Sequence, residues 1–296
     1  MSASVETMSE RAALLVEALP YIQAFRGHTV VIKYGGSAMD DSRLVASVLR
    51  DIVFMEAVGI NPVVVHGGGK RISERMTAEG IEPQFINGLR VTDERSVALV
   101  DDVLNGTVNP GIVAEMNQLG GHALSIAGQD VFRARKAHQE SADGHSHDLG
   151  FVGEIDGCRV RRVIEALRDE QVPVVSPLGR DGSGAIYNIN ADLAASELAV
   201  ALGADKLIYL SDVNGVLRDP SDPESRIPTI TIADIPALKE QGIVTGGMIP
   251  KLGSCARAIE LGIQKIHLID GRIPHALLLE LFTNKGIGTE LVRDFA

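Results

Sequence analysis

Apolar residues recur at two spacings along this chain, and the alternation between them outlines its architecture. From about Thr7 to Phe25, the residues Leu14, Leu15, Ala18, Leu19, Ile22 and Phe25 fall at helical intervals, with Glu10, Arg11 and Glu17 on the other side. The spacing predicts an amphipathic helix ahead of the first strand, kinked at Pro20. Thr29 to Tyr34 is a short β-branched run stopped by Gly35 and Gly36, and Ser42 to Val58 then reads as a helix closed by Gly59. Pro62 to His66 reads as a second buried strand, also stopped by glycines, with a helix from about Lys70 to Glu79. Nearly continuous apolar strands alternating with amphipathic helices imply parallel βαβ units in a sheet covered on both faces, hence the α/β class.

The pattern changes from about Ala123 to Val160. Phe132 to Lys136, a polar stretch, and Gly150 to Val160 with its turn glycines read as β-hairpin material at the edge of the sheet. A helix over about Arg161 to Asp169 leads to a strand at Val172 to Val175, and the turn-rich Gly179 to Gly184 marks a lobe boundary. Beyond it the alternation resumes with a helix at Ala191 to Leu202, a strand at Lys206 to Leu210, helices near Ala233 to Gln241 and after Pro250, and a strand at Ile266 to Ile269. The expected division is an N-terminal helix over 1–26, one lobe over 27–180 and a second over 181–296. No repeat of fixed period interrupts it.

Composition narrows the classes. The 296 residues are 45% hydrophobic and 23% charged, which describes a globular chain, and 31 glycines with no tryptophan point to an aliphatic core. A net charge of −11 argues against a general nucleic-acid surface, so an anionic ligand must be held by a few local cations. Cys158 and Cys255 lie far apart without metal-ligand spacing, so no disulfide framework or zinc site is indicated and a cytoplasmic location is expected. Glu6, Glu10 and Glu17 break any N-terminal apolar run, and no stretch is long enough to span a membrane.

Four constellations carry candidate chemistry. Lys33 is next to last in the strand TVVIKY, one step inside the turn at Gly35 and Gly36, where glycine lets backbone N–H groups approach an anion and the lysine can reach a phosphate; an ordinary surface lysine beside a turn is the alternative. VVVHGGGK places Gly67, Gly68 and Gly69 between a strand and a helix N-terminus, an anion cradle that matches neither the P-loop nor the dinucleotide pattern. In NGLRVTDE, Arg90 precedes Thr92, a potential helix cap; its guanidinium could clamp a carboxylate or form a structural salt bridge. In YNINAD, Asn188 and Asn190 point to one side of an extended segment, and Asp192 opens a helix where it could simply cap. GGMIPK adds Lys251 on a further glycine-rich turn.

Taken in order, VVIKYGGSAM, VVVHGGG, NGLRVT, PVVS, NINAD, SDVNGV, GGMIPK and ELFTNKGIGT resemble the acetylglutamate kinases of the amino-acid kinase superfamily over essentially the whole chain. The resemblance implies a three-layer αβα sandwich around a mainly parallel sheet, extended by the N-terminal helix. It implies that Gly67 and Gly68 donate N–H groups to N-acetyl-L-glutamate, that Arg90 holds its α-carboxylate and that Asn188 completes the pocket. Lys33 and Lys251 would stabilise the transferring phosphoryl group, Asp192 would orient both lysines, and Gly35 and Gly36 would cradle phosphate. Asp212, Val213, Asn214, Gly215, Val216 and Leu217, with Ile243, Val244 and Thr245, would form the ATP site, Mg²⁺ arriving on the nucleotide. Lys70 departs from the family, many members of which carry proline after the glycine run.

The resemblance also extends to regulation. The arginine-sensitive members use an N-terminal helix to join dimers into a hexamer, and the C-terminal segment IHLIDGRIPHALLLELFTNKGIGT matches their pattern, implying Lys206, His267, Glu280 and Gly286 as contacts for inhibitory arginine. The chain ends soon after GIGT, which leaves no room for an appended regulatory domain. A related kinase such as glutamate 5-kinase would lack the Arg90 and Asn188 motifs, and a silent arginine sensor would have replaced Lys33, Asp192 or Lys251. His138, His145, His147 and Asp148 lie on a polar, glycine-containing segment without the constraint of a preformed metal site and are read as a solvated hairpin tip.

Overall fold

The structure is a computed structural model that describes residues 5–86, 88–137, 139–140, 146–283 and 285–294. His138 and His145 of the expected hairpin tip lie outside the described residues. The first part of the chain runs α1 (Val5–Phe25), β1 (Thr29–Tyr34), α2 (Ser42–Ala57), β2 (Asn61–His66), α3 (Gly69–Ala78), and the short strands β3 (Phe85–Ile86) and β4 (Leu89–Arg90). Next come α4 (Glu94–Val103), a π-helical turn (Leu104–Val108), α5 (Asn109–Gln118), β5 (Ala123–Ile126), α6 (Gly128–Val131), β6 (Phe132–Lys136), β7 (Gln139–Glu140), β8 (Ser146–His147) and β9 (Gly153–Cys158). They lead to α7 (Arg161–Arg168), β10 (Val172–Val175), β11 (Leu178–Arg180), β12 (Ile186–Asn188), α8 (Ala191–Leu202) and β13 (Lys206–Ser211). The last elements are β14 (Thr229–Thr231), α9 (Ile235–Glu240), α10 (Met248–Glu260), β15 (Lys265–Asp270), α11 (Ala276–Leu281) and β16 (Thr289–Val292).

Eight strands make the central sheet in the order β14-β16-β15-β13-β1-β2-β10-β5. All neighbours from β15 to β5 pair in parallel, and only the β15–β16 pairing is antiparallel. Because side chains alternate across a strand, Val31, Val63, Val65 and Leu207 point to one face while Val30, Ile32, Val64 and Ile208 point to the other. The first face is covered by α8 and α10 through Ala194, Leu198, Leu252 and Cys255; the second by α2, α5 and α11 through Leu49, Ile52, Met116 and Leu277. This three-layer arrangement buries both faces, which is why the strands read as continuous apolar runs. The sheet crosses the expected boundary at 180/181 without a break, since β1 pairs directly with β13.

The middle of the chain differs from its expected place at the sheet edge. That edge is filled by β5 against β10, and β6 and β9 instead build a separate four-stranded sheet in the order β12-β11-β6-β9. The chain leaves the main sheet at Gly128, where an added Cβ would stand 2.0 Å from the Ser176 carbonyl oxygen. The strands β14 and β16 and the helix α11 are too short, at three to six residues, for a repeating pattern to disclose them. Helix α1 reaches Phe25 as expected, with Pro20 inside it. Its last turns rest on the body through Tyr21 and Phe25, whose rings meet Phe282 edge-on at 6.3 and 6.4 Å.

Candidate active site

The carboxyl ends of β1, β2 and β13 bring the site together, as expected of a parallel sheet. Lys33 lies beside Val65 of β2 and Tyr209 of β13 in the strand register, one residue before the turn. At the start of α8, Asn190 is the N-cap: its side-chain oxygen accepts from the N–H of Asp192 at 2.8 Å and of Leu193 at 3.2 Å. Asp192, expected as a possible cap, is thereby released to face the cavity. Its Oδ1 lies 3.1 Å from Lys33 Nζ, and its Oδ2 accepts a hydrogen bond from Lys251 Nζ at the start of α10. Burial pushes the Asp192 carboxyl up, but the two ammonium groups outweigh it and hold it below the usual carboxylate range. Tyr209, fully buried beneath this chain of charges, donates its hydroxyl to the Asp192 carbonyl oxygen at 3.2 Å and sets its ring 5.0 Å from Lys251 Nζ.

Two cavities meet at these charges and share Lys33 and Gly36. The smaller, about 270 Å³, is lined by Gly67, Gly68, Gly69, Arg90, Asn188, Asn190 and Asp192, with Ile72, Leu104, Val152 and Ile189 among its apolar walls. The larger, about 540 Å³, is lined by Asp212, Val213, Gly215, Val216, Leu217, Ile243, Thr245 and Lys251, together with Ser211, Pro220 and Met248. Its wall is predominantly apolar, which suits a planar base, and its charged end faces the smaller cavity.

Arg90 is buried, 7% exposed, yet has no carboxylate partner among the described residues. Its Nη2 donates to the Gly69 carbonyl oxygen and to Ser73 Oγ, both at 2.8 Å, and its guanidinium carbon stands 4.7 Å from the centre of the Phe85 ring. Burial pulls its pKa down, the mark of a charge with no opposite charge beside it. The salt-bridge alternative therefore has no partner here. Asn188 donates to Thr92 Oγ1 at 3.2 Å, and Thr92 is not the cap of α4: its hydroxyl donates to the Arg90 carbonyl oxygen at 2.9 Å, while Asp93 caps the helix through the Ser96 N–H at 2.7 Å.

The glycine turns differ in detail from their expected use. The Gly67 N–H already donates to the Tyr34 carbonyl oxygen at 2.7 Å, so it is not free for a substrate, and the turn's available donors are the Gly68 N–H and the first amides of α3, which lack intrahelical acceptors. Gly36 has φ +73°, and a Cβ there would lie 2.5 Å from Asp212 Oδ1. The clasp is tight because Ser37 donates both its N–H and its hydroxyl to that oxygen, each at 2.8 Å. Asp212 thus ties the β1 turn to the nucleotide-side loop. Val244 does not line the larger cavity: it is 1% exposed and its side chain joins the core on the α8 side. Asn214 does not line it either, and its Oδ1 is buried without a hydrogen-bond partner among the described residues.

Away from these cavities, Lys206, His267 and Glu280 form a connected row. Lys206 Nζ lies 3.2 Å from His267 Nε2, and His267 Nδ1 lies 2.6 Å from Glu280 Oε1. Glu280 Oε2 accepts from the N–H groups of Ile287 and Gly288 at 2.6 and 3.0 Å, and the Gly286 backbone packs against the same carboxylate. Burial raises the Glu280 carboxyl, and His267 with these donors brings it below its ordinary value. Phe25 of α1 covers Lys206, with its ring centre 5.2 Å from Nζ. Sequence reasoning missed Tyr209, His66 and Asn109 around the site, since each reads as an ordinary core or helix position and only tertiary contact reveals it.

The amino acid kinase family model matches residues 28–270. The acetylglutamate kinase of Akkermansia muciniphila is 47% identical over 295 residues, 99% of each chain, and that of Thermosynechococcus vestitus is 50% identical over 286 residues, 96% of this chain and 95% of its own. Among solved structures, the N-acetylglutamate synthase of Neisseria gonorrhoeae complexed with coenzyme A and N-acetyl-glutamate superposes with a TM-score of 0.83 at 28% identity over 96% of this chain. The same synthase with coenzyme A and L-arginine gives 0.78 at 25% identity. This chain spans only 64% of the synthase in the first of these complexes, so that likeness concerns one part of a longer protein. With the family model over residues 28–270 and relatives of one kind 47 to 50% identical over nearly the whole chain, the chain belongs to the amino acid kinase family and, within it, to the acetylglutamate kinases.

Proposed function

We infer that the protein phosphorylates the γ-carboxylate of N-acetyl-L-glutamate with ATP, giving N-acetyl-L-glutamyl 5-phosphate and ADP in arginine synthesis. The observation that carries this reading is the junction of the two cavities at Lys33, with Asp192 held between Lys33 and Lys251. One cavity offers an unpaired buried guanidinium to a carboxylate; the other offers an apolar wall to a nucleotide. An ionised carboxylate is already a nucleophile, so a carboxylate oxygen forms the new bond to the γ-phosphorus as the bond to the ADP oxygen breaks, and no proton has to move. Catalysis then reduces to alignment and to neutralising charge on the phosphoryl oxygens.

In this reading Arg90 binds the α-carboxylate, Asn188 and the Gly68 N–H complete the substrate pocket, and Lys33 and Lys251 stabilise the transferring group while Asp192 orients them. Asp212, Val213, Gly215, Val216, Leu217, Ile243 and Thr245 hold ATP, with Gly35 and Gly36 against its phosphates. Mg²⁺ enters on the nucleotide, whose phosphate charge it reduces. Asp212 is the carboxylate on the wall of that cavity, and Ser37 already steadies one of its oxygens. Residues 27–180 supply most of the acetylglutamate side, to which Asn188 is added from beyond that boundary, and residues 181–296 supply most of the nucleotide side, to which Lys33 and Gly36 are added from the first lobe. We propose the cytoplasm as the place of action, a reducing compartment that suits two free thiols.

The direct test traps the acyl phosphate with hydroxylamine and compares N-acetylglutamate, glutamate and aspartate as acceptors in the presence of ATP. Hydroxamate should form far faster with N-acetylglutamate; comparable rates with free glutamate would overturn the assignment.

A second reading concerns regulation. The row Lys206, His267, Glu280 lies apart from the active site and is covered by Phe25 of α1, so a ligand there would be felt by the N-terminal helix. A carboxylate such as Glu280 suits a guanidinium or ammonium group through charge-assisted hydrogen bonds. We propose that inhibitory arginine binds beside this row, near Gly286, exchanging the His267 contact for its own. Helix α1 then carries the effect between subunits of a hexamer built from dimers.

A further inference from the structure

Behind the second glycine turn lies an imidazole that none of the roles above uses. His66 ends β2 and is fully buried, as is Asn109, the first residue of α5. His66 Nδ1 lies 2.7 Å from the Gly67 carbonyl oxygen, and Nε2 lies 3.1 Å from Asn109 Nδ2. The orientation of that amide is fixed by Val174, whose carbonyl oxygen stands 2.9 Å from the same Nδ2 and can only accept. Nε2 is therefore the acceptor of the ring. Nδ1, facing a carbonyl, carries the proton, and burial, which pulls the imidazole down to about 4, keeps it neutral. Every partner thus demands one tautomer.

That tautomer has a geometric consequence at the substrate cavity. A trans peptide holds its C=O and N–H on opposite sides, so anchoring the Gly67 carbonyl on the buried ring turns the next N–H, that of Gly68, away from the core. The turn faces the small cavity there, and the Gly67 N–H is already committed to Tyr34. Leu104, itself a wall of that cavity, packs against Gly68, where its Cδ2 would lie 2.5 Å from an added Cβ; Leu104 opens the π-helical turn that delivers Asn109. Single π-helical turns of this kind recur at functional sites. Asn109 also leaves its own Oδ1 buried without a hydrogen-bond partner among the described residues, a cost that an apolar residue of the same size would avoid.

The geometry points to His66 and Asn109 as positioning residues: Nδ1-protonated neutral His66, held by Asn109, fixes the Gly67–Gly68 peptide so that the Gly68 N–H is aimed at the anionic substrate. The role toward substrate rests on the kinase reading above, whereas the tautomer does not. Nitrogen NMR of the full-length protein, labelled at the histidine rings and recorded from about pH 6 to 8, should show His66 protonated at Nδ1 and bare at Nε2, the minor form of free histidine. A protonated Nε2 overturns the proposal.

Kinetics supply the second arm. The side-chain amide nitrogen of His66→Asn can take the place of Nδ1 against the Gly67 carbonyl, whereas that of His66→Gln reaches the position of Nε2 instead. His66→Asn should stay within about threefold of the parent, and His66→Gln should raise KM for N-acetylglutamate about tenfold with KM for ATP changed less than about twofold. Equal behaviour of the two variants, or an equal rise in both KM values, sinks the positioning role. Should the parent protein form no acyl phosphate, the kinase reading fails, and the NMR result still decides the tautomer and the peptide orientation.

Discussion

At the scale of single residues, the site is defined by charges that lack their usual company. Lys33 and Lys251 share one carboxylate, so the Asp192 cluster carries one net positive charge next to the place where phosphoryl charge must be neutralised. Interactions made mainly in the transition state appear in kcat. Lys33→Ala and Lys251→Ala should each lower kcat by about a hundredfold or more, near 3 kcal/mol, with smaller changes in KM. A variant that altered only KM would have been given the wrong role. Arg90 provides the contrast in the same kinetic series. Among the described residues its guanidinium touches only neutral groups, so Arg90→Ala should raise KM for N-acetylglutamate by about one to two orders of magnitude while leaving KM for ATP nearly unchanged. Equal loss of both would mean that Arg90 serves the fold rather than the ligand.

At the scale of elements, the turns and helix ends are what hold those charges in place. Asn190 takes over the capping of α8, and that substitution of roles frees Asp192, the second residue of a helix whose far end is closed by Gly203 in a left-handed conformation, φ +61°. Asn190→Ala removes both capping bonds. It should reduce stability by about 1 kcal/mol in urea unfolding and also lower kcat, because the first turn of α8 positions Asp192. Stability lost without any change in kcat would show that the cap and the catalytic cluster are independent. The β1 turn is held differently, by the Asp212 side chain pressed against Gly36 and hydrogen-bonded to Ser37, which ties the turn to the nucleotide-side loop.

At the scale of the whole molecule, one continuous sheet carries both cavities, and helix α1 stands largely outside it. Leu15, Val16 and Leu19 are exposed at 72, 67 and 47%, more apolar surface on a single helix than the body of the protein covers. Removing residues 1–26 should leave a smaller oligomer by light scattering that still forms acyl phosphate, with arginine inhibition weakened because Phe25 no longer covers Lys206. A full-length protein that already runs as a dimer and ignores millimolar arginine would remove the regulatory reading and leave the kinase assignment standing.

The sequence by itself determined the local framework. The strands at Thr29–Tyr34 and Val172–Val175 and the helix at Ala191–Leu202 fall where periodicity and glycine punctuation predict, because each depends on burial and capping along one short stretch. Motif order was also legible, and with it the family. The rest was decided by the tertiary structure, since it depends on which groups from distant segments end up within hydrogen-bond reach. Only packing shows that Arg90 has no carboxylate partner among the described residues, that Tyr34 occupies the Gly67 N–H, that Val244 turns inward and that Asn190 rather than Asp192 caps α8. The same holds for His66, whose protonated nitrogen is set by the carbonyls of Gly67 and Val174 and the amide of Asn109. Those groups come from three separate segments, and no pattern of residue types along the chain records their distances.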